Sequence, residues 1–283
     1  MLKLVALDID GTLLNGEGII TERTKQAIGM LRLQGTEVTL CTGRNLPLAL
    51  PYARELRITM PLVTCNGAEI RQLNESVLDR RSLSPELTRQ VYEILHKYDA
   101  LYDIYADDRI VIASKSDHEE RLIAYYRYVK GSESGYEALL RDELNQPYMY
   151  EAHSIQEWLE TGKTNVQKFF VSEHRRQQLM VICEELRGLE GISVTTSHLT
   201  NLEITHLSAD KGGALARITE TYGWQSNEVA VIGDGMNDVS MFLYAGMSVA
   251  MGNASEELKR YATFVTGSNK EEGIAQALES WII

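Results

Sequence analysis

The chain has 283 residues, 44% hydrophobic and 24% charged, enough for two ordinary globular domains and a core that needs no disulfide or structural metal. With 28 basic and 40 acidic residues the net charge is −12, which disfavours a nucleic-acid partner, because phosphate contacts need clustered Lys and Arg. No run of 18 apolar residues occurs, the stretch Met1 to Leu7 is too short for a signal peptide, and the three cysteines (Cys41, Cys65, Cys183) lack the spacing of a disulfide framework or zinc site; a cytoplasmic protein with no membrane partner is expected.

Leu4 to Leu7 is a continuous apolar run stopping at carboxylates, the pattern of a parallel strand covered on both faces. Thr21 reads as a helix N-cap, Ala27, Ile28 and Leu31 as its buried stripe, and Gly35 as its stop. Glu37 to Cys41 predicts a second strand and Leu46 to Leu56 a helix interrupted early by Pro47 and Pro51. Pro61 to Cys65 predicts a third strand, and this βαβαβ order argues for a parallel sheet.

From residue 83 to 205 the rhythm changes. Strands are expected from Leu101 to Tyr105, Arg109 to Ala113 and Gln167 to Val171, and helices from Pro85 to Tyr98, His118 to Tyr128 and Arg175 to Leu186. Tyrosines concentrate here, Tyr126, Tyr128 and Tyr136 among them, to pack a small core or line a substrate pocket. The segment holds 13 basic and 21 acidic residues, a balance that disfavours a polyanionic ligand unless cations such as Arg109, Lys115 or Arg127 gather locally. The α/β rhythm then resumes with a helix from Asp210 to Tyr222 closed by Gly223, a strand from Val229 to Ile232, a helix from Asp238 to Tyr244 and a strand from Met247 to Met251. Asn253 with Glu256 three residues on reads as a capping box, and a last helix runs from Glu271 to Trp281. The expected fold class is therefore α/β: a Rossmann-like parallel-sheet core (1–82 and 206–283) with an inserted α+β domain (83–205).

Chemistry concentrates where apolar strands stop. Asp8-Ile9-Asp10-Gly11-Thr12 follows the first strand and Gly233-Asp234-Gly235-Met236-Asn237-Asp238 a late one, and open α/β sheets bind ligands beyond the carboxyl ends of their strands. Asp8 and Asp10 share a side if the strand persists, and with neighbouring strands Asp8, Asp10, Asp234 and Asp238 approach one another. Buried like charges raise one another's pKa, and a hard divalent cation relieves them. The six histidines show no ligand-pair spacing, so Mg²⁺ is expected rather than Zn²⁺. The second strand ends in Thr42-Gly43-Arg44 and the third in Asn66-Gly67, while Lys211 opens a helix where an anion is favoured. Taken alone, each part has a plainer reading: a strand-end Asp as a turn residue, Lys211 as a solvated charge, Cys41 and Cys65 as small core residues. In this order they describe phosphoryl transfer to an aspartate.

Asp8-Ile9-Asp10-Gly11-Thr12-Leu13, Thr42-Gly43-Arg44, Lys211-Gly212 and Gly233-Asp234-Gly235-Met236-Asn237-Asp238 resemble the four motifs of the haloacid dehalogenase-like hydrolases. Cys65-Asn66-Gly67-Ala68 and Val249-Ala250-Met251-Gly252-Asn253-Ala254 are similar to the Cof-type subfamily, whose large cap lies between the second and third motifs. The resemblance implies a Mg²⁺-dependent phosphatase acting on a small phosphorylated metabolite, with a sugar phosphate as the leading substrate and nucleotides, pyridoxal phosphate and flavin mononucleotide as others. It implies Asp8 as nucleophile and Asp10 as general acid and base. Mg²⁺ would be held by the Asp8 carboxylate, the Asp10 backbone carbonyl and Asp234, with Asp238 orienting metal-bound water. Thr42, the amides of Ile9 and Gly43, Lys211 and Asn237 would hold the phosphate, with Arg44 and Asn66 behind them or toward the substrate. Hinges between core and cap are expected at Arg80 to Ser84 and Glu203 to Ala209, with His206 where the subfamily often has proline. A phosphomutase sharing the aspartyl-phosphate step and a non-catalytic phosphometabolite-binding protein are the alternatives.

Overall fold

The computed structural model describes residues 2–125, 141, 144–162, 164–173, 175–197 and 200–281, side chains 124 and 125 aside. Tyr126, Arg127, Tyr128 and Tyr136, and the far end of the helix expected to reach Tyr128, lie outside the described residues. The chain divides into two compact units, one of residues up to Arg80 and from Ala209 onward, the other Arg81–Ser208.

The first unit begins with β1 (Leu4–Leu7), β2 (Glu37–Leu40), β3 (Leu62–Thr64), β4 (Glu69–Arg71) and β5 (Val77–Arg80). The second carries β6 (Leu101–Ala106), β7 (Arg109–Ile112), β8 (Met149–Glu151), β9 (Val166–Ser172), β10 (Ile192–Thr195) and β11 (Asn201–His206). The chain then returns with β12 (Val229–Gly233), β13 (Met247–Ala250) and β14 (Phe264–Val265). The main sheet has the order β14-β13-β12-β1-β2, every pair parallel. β1 and β12 are apolar throughout and fully buried, as a sheet covered on both faces requires. The chain builds outward from β1 through β2, then restarts on β1's other side at β12. That reversal opens a crevice at the carboxyl ends of β1 and β12.

Several sequence expectations need correction. β3 touches β2 through a single parallel bridge, Cys41 to Val63, and belongs to a separate antiparallel sheet β3-β4-β5. The cause is local: Cys65, Asn66 and Gly67 take φ of 48°, 56° and 91°, which ends the strand in a turn. The helix Leu46–Glu55 is not interrupted; Asn45 caps it by accepting from the Leu48 N–H. Pro47 sits in the first turn, where no N–H is needed, and Pro51 forfeits one internal bond while Leu46, Ala49, Leu50 and Ala53 keep the buried stripe. Asn253 does not cap the helix Glu256–Lys259: Ser255 does, accepting from the Leu258 N–H at 3.2 Å.

In the second unit, the sheet β10-β11-β9-β6-β7-β8 is antiparallel except for β7 with β8. One pleat face, with Ile104, Phe169, Val171, Leu202 and Ile204, joins Val91, Leu95, Leu179, Ile182 and Leu186 of helices Pro85–Lys97 and Arg176–Arg187 in one core. The opposite pleat face carries Asp103, Tyr105, Lys168, Phe170 and Glu203. Lys168 and Glu203 form a buried ion pair at 2.7 Å, with the Lys168 ammonium 4.4 Å from the centre of the Tyr105 ring. Arg109 lies over the Tyr150 ring and Lys115 opens a helix, its backbone N–H on Glu151. Among the described residues no helix is long and apolar enough to cross a membrane.

Candidate active site

The loop after β1 sets the site. The Asp8 N–H continues the ladder to Ile232 O at 3.0 Å, and Ile9 to Leu13 then form one wide turn closed by Leu14 N–H to Ile9 O at 3.0 Å. Gly11 is required there twice over: its φ is +76°, and a Cβ would lie 2.2 Å from Asp234 Oδ2. That close approach lets the Thr12 hydroxyl donate to Asp234 Oδ1 at 2.7 Å.

Asp8, Asp234 and Asp238 each offer a carboxylate oxygen, all within 4.8 Å of one another. Lys211, the first residue of the helix Lys211–Tyr222, is wholly buried among them. Its ammonium donates to Asp8 Oδ1 at 2.7 Å and to Asp238 Oδ1. The other oxygen of Asp238 accepts from the backbone N–H groups of Asp234 (2.9 Å) and Gly235 (3.0 Å). One ammonium is therefore bonded to two of the three carboxylates. Burial pushes Asp8 well above the usual carboxylate range, against the pull of Lys211 and with Asp238, Asp234 and Asp10 adding repulsion. Burial, then Asp238, push Asp234 up to about 7. Burial works against the Lys211 charge, yet Asp238 and Asp8 hold it protonated well above the ordinary range. A lysine at a helix start is here a buried counter-ion, not a solvated charge. The donor set is all carboxylate oxygen with negative charge in excess, which fits a hard divalent cation such as Mg²⁺. Cys41, beside Lys211, is buried and its thiol is pushed up by that burial, so it offers no soft ligand.

The Asp10 carboxylate does not join this cluster. It is 54% exposed and held in a two-point pair by Arg44, whose Nε and Nη2 lie 2.8 and 2.6 Å from its oxygens. Sharing a side with Asp8 required the strand to persist, and the chain leaves extended pairing at Asp8, turning left-handed at Gly11. Arg44 is itself fixed by Tyr52, whose ring lies 5.1 Å below the guanidinium and whose hydroxyl accepts from Nη1 at 3.3 Å.

The remaining expected residues sit on neighbouring turns. Thr42 is buried, its N–H on Val63 O at 2.9 Å and its hydroxyl accepting from the Arg44 N–H at 3.1 Å, with Gly43 between them. Asn66 donates its N–H to Thr42 O at 3.0 Å and accepts from Asn237 Nδ2 at 3.1 Å. The Ile9 side chain is in the core, which leaves only its backbone for a ligand. Thr12, Tyr52 and Asn253 were missed from the sequence. Asn253 follows the carboxyl end of β13, the same kind of position that singled out the other residues, and its amide reaches Asp234 Oδ2 at 3.1 Å.

The family described as haloacid dehalogenase-like hydrolase matches residues 5–278. Two phosphatases of 5-amino-6-(5-phospho-D-ribitylamino)uracil from Bacillus subtilis (strain 168) are 28% and 31% identical to this chain, across 100% and 98% of it and 96% and 97% of their own lengths. A solved haloacid dehalogenase-like hydrolase from B. subtilis shares the fold, with a TM-score of 0.88 over 98% of this chain and 99% of its own at 24% identity. The chain belongs to the haloacid dehalogenase-like hydrolases, and it is a phosphatase of the Cof type within that family.

Proposed function

We propose that the enzyme is a Mg²⁺-dependent phosphatase that hydrolyses a small phosphorylated metabolite through a phosphoryl group carried on Asp8. The observation that carries this reading is the state of Asp8: Lys211 fixes its Oδ1, and among the described residues nothing donates to its Oδ2. That second oxygen attacks phosphorus as the bond to the leaving-group oxygen breaks, and Asp10 supplies the proton that oxygen takes up. Asp10, ionised by that transfer, then removes a proton from the water that cleaves the Asp8–phosphate bond, which releases phosphate, restores the Asp8 carboxylate and leaves Asp10 protonated as it began. The Asp8 and Asp234 carboxylates and the Asp10 backbone carbonyl would hold Mg²⁺, which when bound offsets the charge of the phosphate oxygens. Asp238 keeps Lys211 and the Asp234–Gly235 backbone in place. The Thr42 hydroxyl, the Ile9 and Gly43 amides, Lys211 and Asn237 bind the phosphate, with Asn66 orienting Asn237. In this reading Arg81–Ser208 is the cap domain that selects the leaving group.

The leading substrate class is a phosphate ester of a sugar or sugar alcohol; the two B. subtilis relatives are named for a ribityl phosphate bearing a uracil ring. The test is phosphate release from sugar and ribityl phosphates, nucleotides, pyridoxal phosphate, flavin mononucleotide and p-nitrophenyl phosphate, with Mg²⁺ and with a chelator. Release with Mg²⁺ that the chelator abolishes is expected. No release from any of these compounds would overturn the reading.

The electrostatics give a second expected result. Asp234 titrates at about 7 in the folded protein, against roughly 4 for a solvated Asp. Between these values the folded state binds the more protons, so the metal-free protein loses stability as pH rises, and Asp8, also raised, acts in the same direction. A cation competing with those protons stabilises more where they have gone. Mg²⁺ is therefore expected to raise Tm, and to raise it more at pH 8 than at pH 6. Calorimetric scans of chelator-treated protein with and without Mg²⁺ check this; an equal increment at both pH values contradicts it.

A further inference from the structure

Asn253 ties together three segments of the first unit that are distant in sequence. It lies in the turn after β13, where the Gly252 N–H donates to Gly267 O at 2.9 Å and a Cβ on Gly252 would lie 2.7 Å from Ser268 N. That turn is thus packed directly on the backbone of 266–269. The Asn253 Oδ1 accepts from the Asn269 N–H at 2.9 Å, which fixes the end of the amide that is oxygen. Its Nδ2 then faces two acceptors, Gly11 O at 2.9 Å and Asp234 Oδ2 at 3.1 Å. An amide nitrogen has two hydrogens, and here each has a partner. Asn269 adds a parallel tie, donating its own Nδ2 to Leu14 O at 2.8 Å.

The consequence falls on Asp234. Thr12 donates to one of its oxygens and Asn253 to the other, so the carboxylate plane is set from both sides. The same Asn253 nitrogen holds the carbonyl of Gly11, the residue immediately after Asp10. We infer that Asn253 is a positioning residue for the divalent cation, aligning the Asp234 carboxylate with the backbone that follows Asp10. This inference rests on the Mg²⁺ site proposed above. Groups that hold a metal's ligands in orientation commonly change its affinity by about 10–100-fold when removed. Asn253 is exposed, so its removal opens no cavity in the core.

The test is calorimetric titration of the chelator-treated full chain with Mg²⁺ alone, for wild type, Asn253→Ala and Asn253→Leu. Leu keeps the branched shape of Asn at Cγ and removes both donor hydrogens. Both variants are expected to bind Mg²⁺ about 10–100-fold more weakly, while the metal-free Tm stays within about 2 °C of wild type. A merely structural staple would give the reverse: a lower metal-free Tm with a Kd for Mg²⁺ near that of wild type. That result, or a Kd within about twofold of wild type in either variant, overturns the inference while leaving the metal site intact. A wild type that binds no Mg²⁺ overturns the site itself, and the inference with it.

Discussion

Asp8→Asn is expected to fold and to lose at least about 10⁴-fold in turnover on every substrate the wild type accepts, because the proposed acceptor of the phosphoryl group is removed. The amide nitrogen is a poor nucleophile at phosphorus, and the oxygen that remains lacks the charge of a carboxylate. Folding survives for a reason specific to this site. Asp8 is buried with its pKa raised well above the usual range by that burial and by the repulsion of Asp238, Asp234 and Asp10. Its charge is therefore a cost to the metal-free fold, and Lys211 retains Asp238 as a partner. The metal-free Tm of Asp8→Asn is expected to equal or exceed that of wild type, as is common where an active-site charge is removed. Steady-state phosphate release and a thermal scan on the same preparation check both halves. Turnover near that of wild type would remove Asp8 as the nucleophile. Lost turnover with a collapsed Tm would instead mean that the carboxylate holds the fold.

What the sequence made legible follows a physical divide. The run Leu4–Leu7 is apolar at every position and ends in Asp8, so both its burial and its chemical end can be read from one short string. The same holds for Val229–Gly233 and Asp234, and two such ends on neighbouring strands suffice to place Asp8 and Asp234 together. Side-chain direction is less accessible. Asp10 is two residues from Asp8, yet its carboxylate turns to Arg44, because the chain leaves the strand at Asp8 and reverses through a left-handed Gly11. Periodicity arguments hold only while a strand continues.

Asn253 failed for a different reason. An Asn three residues before a Glu ahead of a helix fits a capping box, and Ser255 fits a cap equally well from sequence. Only the packing of Gly252 against Ser268 and the return of the Gly11 loop decide which residue caps and which reaches Asp234. The hairpin β4–β5 was unread because its turn, closed by the Gln72 N–H on Ser76 O, depends on a left-handed backbone at Glu75 (φ 72°) that this residue type does not announce. In the second unit, the pairing of Lys168 with Glu203 joins strands β9 and β11 across 35 residues, a contact set by register that no local pattern records.

Lys211→Met is expected to have the largest effect on stability, and that effect should depend on pH. Met matches the length of the lysine stem and removes only the charge and its donors. In the wild type the ammonium is wholly buried between Asp8 and Asp238. Removing one partner of a buried ion pair costs about 3–5 kcal/mol, since the other charge is left buried and unpaired. At roughly 2–4 °C per kcal/mol for a protein of this size, metal-free Tm at pH 8 should fall by about 6–20 °C. With the cation gone, carboxylates already raised by burial lose the charge that held them down, so protonation becomes the remedy. The folded variant then binds more protons than its unfolded chain, and its stability rises as pH falls. The deficit against wild type should shrink from pH 8 to pH 5.5, and Mg²⁺ should restore more of the Tm in the variant than it adds in the wild type. Turnover should fall by about 10²–10³-fold even where the variant is folded, because the buried cation proposed to face the phosphoryl group is lost. Thermal scans at the two pH values, each with and without Mg²⁺, separate charge from packing. A deficit of equal size at both pH values and insensitive to Mg²⁺ would assign Lys211 a packing role and leave the three carboxylates balanced by something other than its ammonium.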